Sequence, residues 1–426
     1  METNTIIKKG YKQTELGVIP ENWGVKQLKE VVSKLIDNRG KTPPYSDNVN
    51  IELIETASIS FVNQYPDYSR VTKFVSKYTF DHWFREHPLK GDVLISTVGE
   101  YSGASAIMRH NRGTIAQNLV ALRIKEIDPM YVFYWTRSTN FRKQLSQVMM
   151  NQAQPSLRVP WLLNFYLNIP KPKERTAIAT VLSDTDALIE RLGKLIAKKK
   201  AIKQGTMQQL LTGKKRLPGF GGEWKVKKLG EVGETYGGLS GKKKSDFDGG
   251  KYPYIPFMNI MSNPVVDLQY FDYVNIRGDE KQNRAIKGDL FFNGSSETPE
   301  EVGMCSVLQG DIPNLYLNSF CFGFRLNKDL KTDGLYLSYF FRSPMGRQLI
   351  FSLAQGATRY NLSKINFMKL EIPYPDPAEQ ITIAKIFSDI DAEIESLEQK
   401  RDKYIMLKQG MMQQLLTGRI RIYANN

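Results

Sequence analysis

The seven residues Met207-Gln208-Gln209-Leu210-Leu211-Thr212-Gly213 return 205 positions later as Met412-Gln413-Gln414-Leu415-Leu416-Thr417-Gly418. The register holds upstream, where Ser183-Asp184, Asp186-Ala187, Ile189-Glu190 and Lys203-Gln204-Gly205 answer Ser388-Asp389, Asp391-Ala392, Ile394-Glu395 and Lys408-Gln409-Gly410. Apolar residues recur at three-or-four spacing in both copies: Ile178, Val181, Ile189, Leu192 and Ile196, then Ile383, Ile386, Ile390, Ile394, Leu397 and Tyr404. Pro172 and Pro377 stand at the starts, where a missing N–H costs little, and Gly213 and Gly418 stand where a helix stops. About 38 residues at 1.5 Å rise make a rod of ~57 Å. The chain is therefore constrained to the order domain, long helix, domain, long helix.

Charge predicts how the rods pair. Asp184, Asp186 and Glu190 lie early in the first and Lys198, Lys199, Lys200 and Lys203 late; Asp389, Asp391, Glu393, Glu395 and Glu398 precede Lys400, Arg401, Lys403 and Lys408 in the second. Antiparallel pairing sets acid against base, and parallel pairing sets like against like. An antiparallel pair implies heads at opposite ends, related by a pseudo-two-fold axis. The mid-helix glycines Gly205 and Gly410 each cost about 1 kcal/mol against Ala, which predicts a close backbone approach there.

The globular stretches are duplicated too. Trp23 to Leu28 answers Trp224 to Leu229, Leu89-Lys90-Gly91-Asp92 answers Ile286-Lys287-Gly288-Asp289, and Arg137-Ser138 answers Arg342-Ser343. Leu167-Asn168-Ile169-Pro170 answers Leu370-Glu371-Ile372-Pro373, whereas 35–88 and 240–285 share no pattern. Short runs bounded by Gly, Pro, Asn and Asp read as strands at 92–97, 119–124, 254–257, 290–293 and 320–326, with helices at 129–147 and 335–353. The predicted class is α+β: two globular domains of one fold at 1–170 and 216–375, and two long antiparallel coiled-coil helices at 171–215 and 376–426. A shared frame with divergent interiors implies one fold presenting two different surfaces.

The net charge of +15 over 426 residues, with an isoelectric point near 9.4, implies a polyanionic partner, nucleic acid first and an anionic membrane surface second. No apolar run approaches the ~18 to 20 residues of a spanning helix, and Met1–Lys9 lacks the apolar core of a leader, so a cytoplasmic protein is expected. Cys305 and Cys321 are too few for a disulfide scaffold or zinc site and read as buried apolar residues.

Catalytic motifs are weak. Thr42-Pro43-Pro44-Tyr45 is similar to the Pro-Pro-aromatic loop of amino-methyltransferases, but its first residue is neither Asn nor Asp, and no glycine-rich cofactor loop is near. Gly219 to Gly222 follows Pro218 in a linker and reads as a hinge; no Gly-x-x-x-x-Gly-Lys-Ser/Thr occurs, and His82, His87 and His110 lack partners at metal spacing. Candidate nucleic-acid-contacting residues are polar or basic loop positions: Arg39, Lys41, Thr42, Tyr45, Ser102, Arg112, Gln117 and Asn118 in the first domain. In the second they are Lys242, Lys243, Lys244, Ser245, Asn293, Ser295, Ser296, Arg359, Tyr360 and Asn361. Lys suits phosphates, while Arg, Asn and Gln pair bidentately with base edges. The loop after each Lys-Gly-Asp is the foremost candidate.

At the Lys-Gln-Gly-x-Met-Gln-Gln-Leu-Leu-Thr-Gly endings, the opening Gly10-Tyr11-Lys12-Gln13-Thr14-Glu15-Leu16-Gly17-Val18-Ile19-Pro20 with Trp23, and Arg39-Gly40-Lys41-Thr42-Pro43-Pro44, the chain resembles the specificity subunit of type I restriction-modification systems. The resemblance implies two target recognition domains, each reading half of a split sequence in double-stranded DNA, with the helices as spacer. It implies docking on two modification (methyltransferase) subunits, for which the adjacent polar Gln208, Gln209, Gln413 and Gln414 are candidates, and assembly with restriction (translocase/nuclease) subunits. No catalytic residue, metal or cofactor is expected on this chain; S-adenosylmethionine, ATP and magnesium would sit on the partners. Lys198-Lys199-Lys200-Ala201-Ile202 departs from Lys403-Tyr404-Ile405-Met406-Leu407, so the resemblance does not assign which rod meets which modification subunit. The rival readings are a catalytically active single-chain DNA methyltransferase or nuclease, and a general adaptor for protein or RNA.

Overall fold

The computed structural model describes residues 7–47, 51–150, 156–356 and 358–422; of the N-terminal stretch read for a leader, residues 1–6 lie outside it. The chain divides into two compact units, one of residues 1–193 with 399–426 and the other of residues 194–398.

In the first unit a four-stranded antiparallel sheet runs in the order Val32–Ile36, Leu119–Ile124, Val93–Ser96, Ser105–Ile107. The second unit repeats it as Gly233–Gly237, Cys321–Leu326, Leu290–Asn293, Cys305–Val307. The inner strands carry consecutive buried residues at 93–96, 119–122, 290–293 and 321–324 because both faces are covered. Val93, Ile95, Val120 and Leu122 face the main core, and Leu94, Leu119 and Ala121 alternate into a second cluster with Ile54 and Ile115. Leu290, Phe292, Phe322 and Phe324 against Phe291 and Cys321 repeat the pattern, so both cysteines are buried and burial pushes their thiols up.

The interiors that share no sequence pattern nevertheless each contribute to a three-stranded sheet of the same topology. Ile51–Ile54 pairs antiparallel with Phe74–Val75 and parallel with Thr114–Ile115. Tyr252–Ile255 pairs antiparallel with Asp272–Val274 and parallel with Tyr316–Leu317. The fold class agrees with the expectation, and the common architecture runs deeper than the sequence revealed.

Each helix expected at 129–147 and 335–353 is two helices. Pro129–Trp135 and Thr139–Met149 are separated by Arg137-Ser138, and Gly334–Arg342 and Pro344–Phe351 meet at Ser343. Each serine caps the second helix, its Oγ accepting from the Phe141 N–H at 3.2 Å or the Gly346 N–H at 3.1 Å. Each arginine turns inward. Arg137 donates to the carbonyls of Ser60, Phe61, Val62, Asn63 and Ser105, and Arg342 to those of Ile260, Met261, Asn263 and Cys305. Burial pulls both guanidinium groups down to about 10, against the attraction of Asp186 for Arg137 and of Asp391 for Arg342, while the carbonyls supply their hydrogen bonds. The repeated Arg-Ser is a structural device that ties the divergent interior to the frame.

The long helices are Pro172–Leu210 and Pro377–Leu415, 39 residues each, or ~58 Å. Gly213 and Gly418 both adopt φ +71° just beyond the ends. Within each unit the helices run antiparallel, as the charges require. In the second unit Lys199 meets Glu393 at 2.7 Å, Lys200 meets Glu398 at 2.7 Å, and Lys203 meets Asp391 at 2.5 Å; in the first, Lys408 meets Asp186 at 2.5 Å. Gly205 and Gly410 show no close approach: a Cβ at either would meet nothing within 4 Å, which overturns that expectation within the chain.

Each domain's core is closed by the end of the other repeat's helix. Met412, Leu415 and Leu416 join Ile178, Ala179 and Leu182 in the first domain's core; Met207, Leu210 and Leu211 join Ile383, Ala384 and Phe387 in the second's. Polar anchors accompany them. Glu174 accepts from Trp23 Nε1 at 2.9 Å and from the Arg421 guanidinium at 2.5 and 2.8 Å. Glu379 accepts from Trp224 Nε1 at 2.9 Å and from Arg216 at 2.8 and 2.7 Å. Arg216 also binds the carbonyls of Gly221 and Gly222, so the stretch expected as a hinge is held in place.

Candidate nucleic-acid interface

The frame brings three strand ends together beyond each Lys-Gly-Asp. In the first domain the Thr97 N–H donates to the Asn118 carbonyl at 2.8 Å and the Leu157 N–H to the Thr97 carbonyl at 2.7 Å, with Val98 bridging Ser156. In the second, the Gly294 N–H donates to the Phe320 carbonyl at 2.8 Å and the Leu362 N–H to the Gly294 carbonyl at 3.0 Å. Ser295 and Ser296 pair there with Asn361 and Tyr360. The backbone bonds match one for one, so 98, 118 and 156 correspond to 295, 320 and 361.

The aspartates beneath are clamps. Asp92 accepts from the Leu89 N–H at 2.8 Å and binds Arg123 at 2.9 Å; Asp289 accepts from the Ile286 N–H at 3.0 Å and binds Arg325 at 2.7 Å. Hydrogen bonding to these carboxylates outweighs burial and raises both arginines above their ordinary value.

The sequence candidates separate into frame, paired and free groups. Asn293, Ser295, Ser296 and Ser102 are buried and belong to the frame. Asn293 Nδ2 donates to the Glu301 carbonyl at 2.9 Å and its Oδ1 accepts from the Met304 N–H at 2.6 Å, which leaves little capacity for a base. Arg39 is spent on Asp37 at 2.8 and 2.7 Å, and its bonds outweigh burial to hold the Asp37 carboxyl below its usual range. Arg112 is paired with Glu52 at 2.6 Å and lies over the Tyr68 ring. Lys242 is paired with Glu280 and donates to the Asn275 carbonyl; its hydrogen bond draws the Glu280 carboxyl down to about 2. These three cations are neutralised locally rather than offered to phosphate.

Exposed and usable are Lys41, Thr42, Tyr45 and Asn118 in the first domain, and Lys243, Lys244, Ser245, Arg359 and Asn361 in the second; Gln117 and Tyr360 are half-buried. Gln117 donates to Thr42 at 2.8 Å and so joins Thr42 to Asn118. Lys73 lies over the Tyr45 ring. Arg359, Tyr360 and Asn361 are gathered with the strand ends; Lys242 to Ser245 stand instead against 275–280. On the long helices Gln208, Gln209 and Gln413 are exposed and Gln414 is half-buried, so the Met-Gln-Gln-Leu-Leu motif alternates core contacts with free amides.

Sequence reasoning missed Phe320, which is 55% exposed although it sits at the matched strand end, and the Trp–Glu–Arg anchors. The anchors were legible: Trp23 and Trp224, Glu174 and Glu379, and Arg421 and Arg216 are all duplicated.

The domain model described as the type I restriction modification DNA specificity domain matches residues 20–201 and again 221–404. A putative type I restriction enzyme MjaX specificity subunit of Methanocaldococcus jannaschii is 25% identical, covering 97% of both chains. The MjaVIII specificity subunit of the same organism is 30% identical over 49% of this chain. In architecture the chain is similar to the S subunit of a type I restriction-modification system from M. genitalium, with TM-score 0.56 at 13% identity, over 93% of this chain and 96% of that one. It is equally similar, with TM-score 0.56 at 17% identity, to a chain from a study of complex assembly and conformational transition of the type I R-M system, over 94% of this chain and 99% of that one. With its duplicated frame, paired helices and two matched domains, the chain belongs to the type I restriction-modification DNA specificity family.

Proposed function

We propose that the chain is the DNA-reading subunit of a type I restriction-modification complex and recognises an asymmetric, bipartite site, one half per domain. The observation that carries this reading is the matched frame with unmatched side chains. Corresponding strand ends present Asn118 in one domain and Phe320 with Arg359 in the other, so two heads of one architecture offer different chemistry. The subunit is non-catalytic: the family is one of recognition subunits, and the Thr42-Pro43-Pro44-Tyr45 loop serves the reading surface. The single-chain methyltransferase or nuclease reading is not favoured.

The paired helices act as spacer and as docking site for two modification subunits, through Gln208, Gln209 and Gln413 on their exposed faces; restriction subunits complete the nuclease. S-adenosylmethionine, ATP and magnesium belong to those partners, and the setting is the cytoplasm. No helix among the described residues is long and apolar enough to cross a membrane. Exchange of residues 30–165 for those of another family member tests the reading: modified sites mapped in the host genome should change in one half-site alone. A change in both halves ends the two-reader account.

A further inference from the structure

Among the arginines at candidate positions, Arg39 and Arg112 are committed to carboxylates, whereas the Arg359 guanidinium makes no hydrogen bond or ion pair with any described residue. It lies 5.2 Å from the centroid of the exposed Phe320 ring. A cation over a ring is attracted to it without consuming its N–H donors, which leaves them free for bidentate bonding. Backbone pairing positions both residues. The Phe320 N–H donates to Asn318 Oδ1 at 2.9 Å and its carbonyl accepts from Gly294. Arg359 leads into the strand Tyr360–Leu362, and Gly356, at φ +139°, allows that hairpin to turn: a Cβ there would stand 2.1 Å from the Arg359 carbonyl. Glu297 and Glu300 are exposed on the neighbouring loop, a poor setting for phosphate contact.

In the first domain the position matched to Phe320 is Asn118, exposed, at φ +74°, with no side-chain hydrogen bond to a described residue. A non-glycine residue in that region is uncommon, and here it aims a free amide outward from the same backbone bond.

We propose that the residue before the strand Leu119–Ile124 or Cys321–Leu326 is the specificity-determining position of its domain: Asn118 reads an adenine edge, and Phe320 with Arg359 reads a guanine. Arg359 takes guanine O6 and N7 while Phe320 holds its plane and covers the adjoining base. This rests on the DNA-reading function proposed above and names its chemistry.

Selection of bound duplexes from a randomised pool by the full-length protein, followed by sequencing, tests it. Arg359→Ala should relax preference at one position of one half-site by about 5- to 150-fold for lost bidentate pairing, Phe320→Ala should relax the same or the adjoining position, and both should leave the other half unchanged. Arg359→Lys should restore affinity with a weakened guanine preference, and Asn118→Ala should relax the opposite half-site. Unchanged preferences, or a uniform loss across all sequences, overturn the assignment while wild-type selectivity keeps the proposed function intact. A wild-type protein that selects no sequence, alone or assembled with modification subunits, overturns the proposed function itself, and this assignment with it.

Discussion

At the residue scale, burial decides which charges matter. Glu379 is 1% exposed in its side chain and holds Arg216 and Trp224 together, whereas Glu398 bonds Lys200 across exposed helix surface. Glu379→Ala leaves a guanidinium and an indole N–H without their acceptor, and should cost ~3–5 kcal/mol. Glu398→Ala should cost ~0–1 kcal/mol, since water and salt screen it. Urea midpoints check the contrast, and equal losses would contradict it. His87 provides the pH test: burial lowers its imidazole from the ordinary value, with Phe80 stacked on it and Thr114 Oγ1 at 2.8 Å from Nδ1. Because the folded value lies below the unfolded one, the unfolded chain binds more protons between them. Stability from His87 is thus complete above pH ~6.5 and is lost as pH falls through the folded value. His87→Gln should flatten the stability profile just below pH ~6.5; an unaltered slope there would place its origin elsewhere.

At the element scale, glycines that look alike in sequence behave oppositely. Gly418 sits at φ +71° with a Cβ position 2.4 Å from Pro20, and Gly213 at φ +71° against Trp224. Gly418→Ala should cost at least ~1–2 kcal/mol from the left-handed backbone alone. Gly205 and Gly410 are helical and face open space, so Ala at either should stabilise by about 1 kcal/mol. Thermal unfolding reads both signs. If Gly205→Ala stabilises the chain yet weakens association with a modification subunit, the glycine is kept for that approach; unweakened association removes the idea. The rods themselves were legible because thirty-nine helical residues carry a strong period and paired punctuation. The broken helices were legible only in part. Ser343-Pro344 is a readable start signal, a capping serine before a proline at the first helical position, whereas at Ser138 only the inward arginine and the cap show why the chain turns.

At the scale of the whole molecule, the first compact unit is made from both ends of the chain. Met412, Leu415 and Leu416 are almost fully buried in the first domain, each worth ~1.5–3 kcal/mol, against ~5–15 kcal/mol for a typical domain. Truncation after Glu398 should therefore expose residues 19–182 to hydrogen exchange while 220–390 stay protected. Unchanged protection in the first domain would show that it closes without the second helix. Lengthening the first rod by one turn, ~5.4 Å, should favour a longer gap between half-sites in mapped targets, and a fixed gap would rule out the spacer role.

The amino-acid sequence alone determined the duplication, the rods and their antiparallel pairing, because these rest on local periodicity and on charge order along the chain. It also carried every anchor residue in duplicate, unread. Tertiary structure decided the rest. Residues 35–88 and 240–285 each contribute to a three-stranded sheet of the same topology that no pattern announces, since backbone pairing tolerates any side chain that fills the space. Asn293 and Ser295 look like readers but are buried, while Phe320 looks like core but is exposed. Exposure depends on which strands meet, and that is fixed only when distant segments pack.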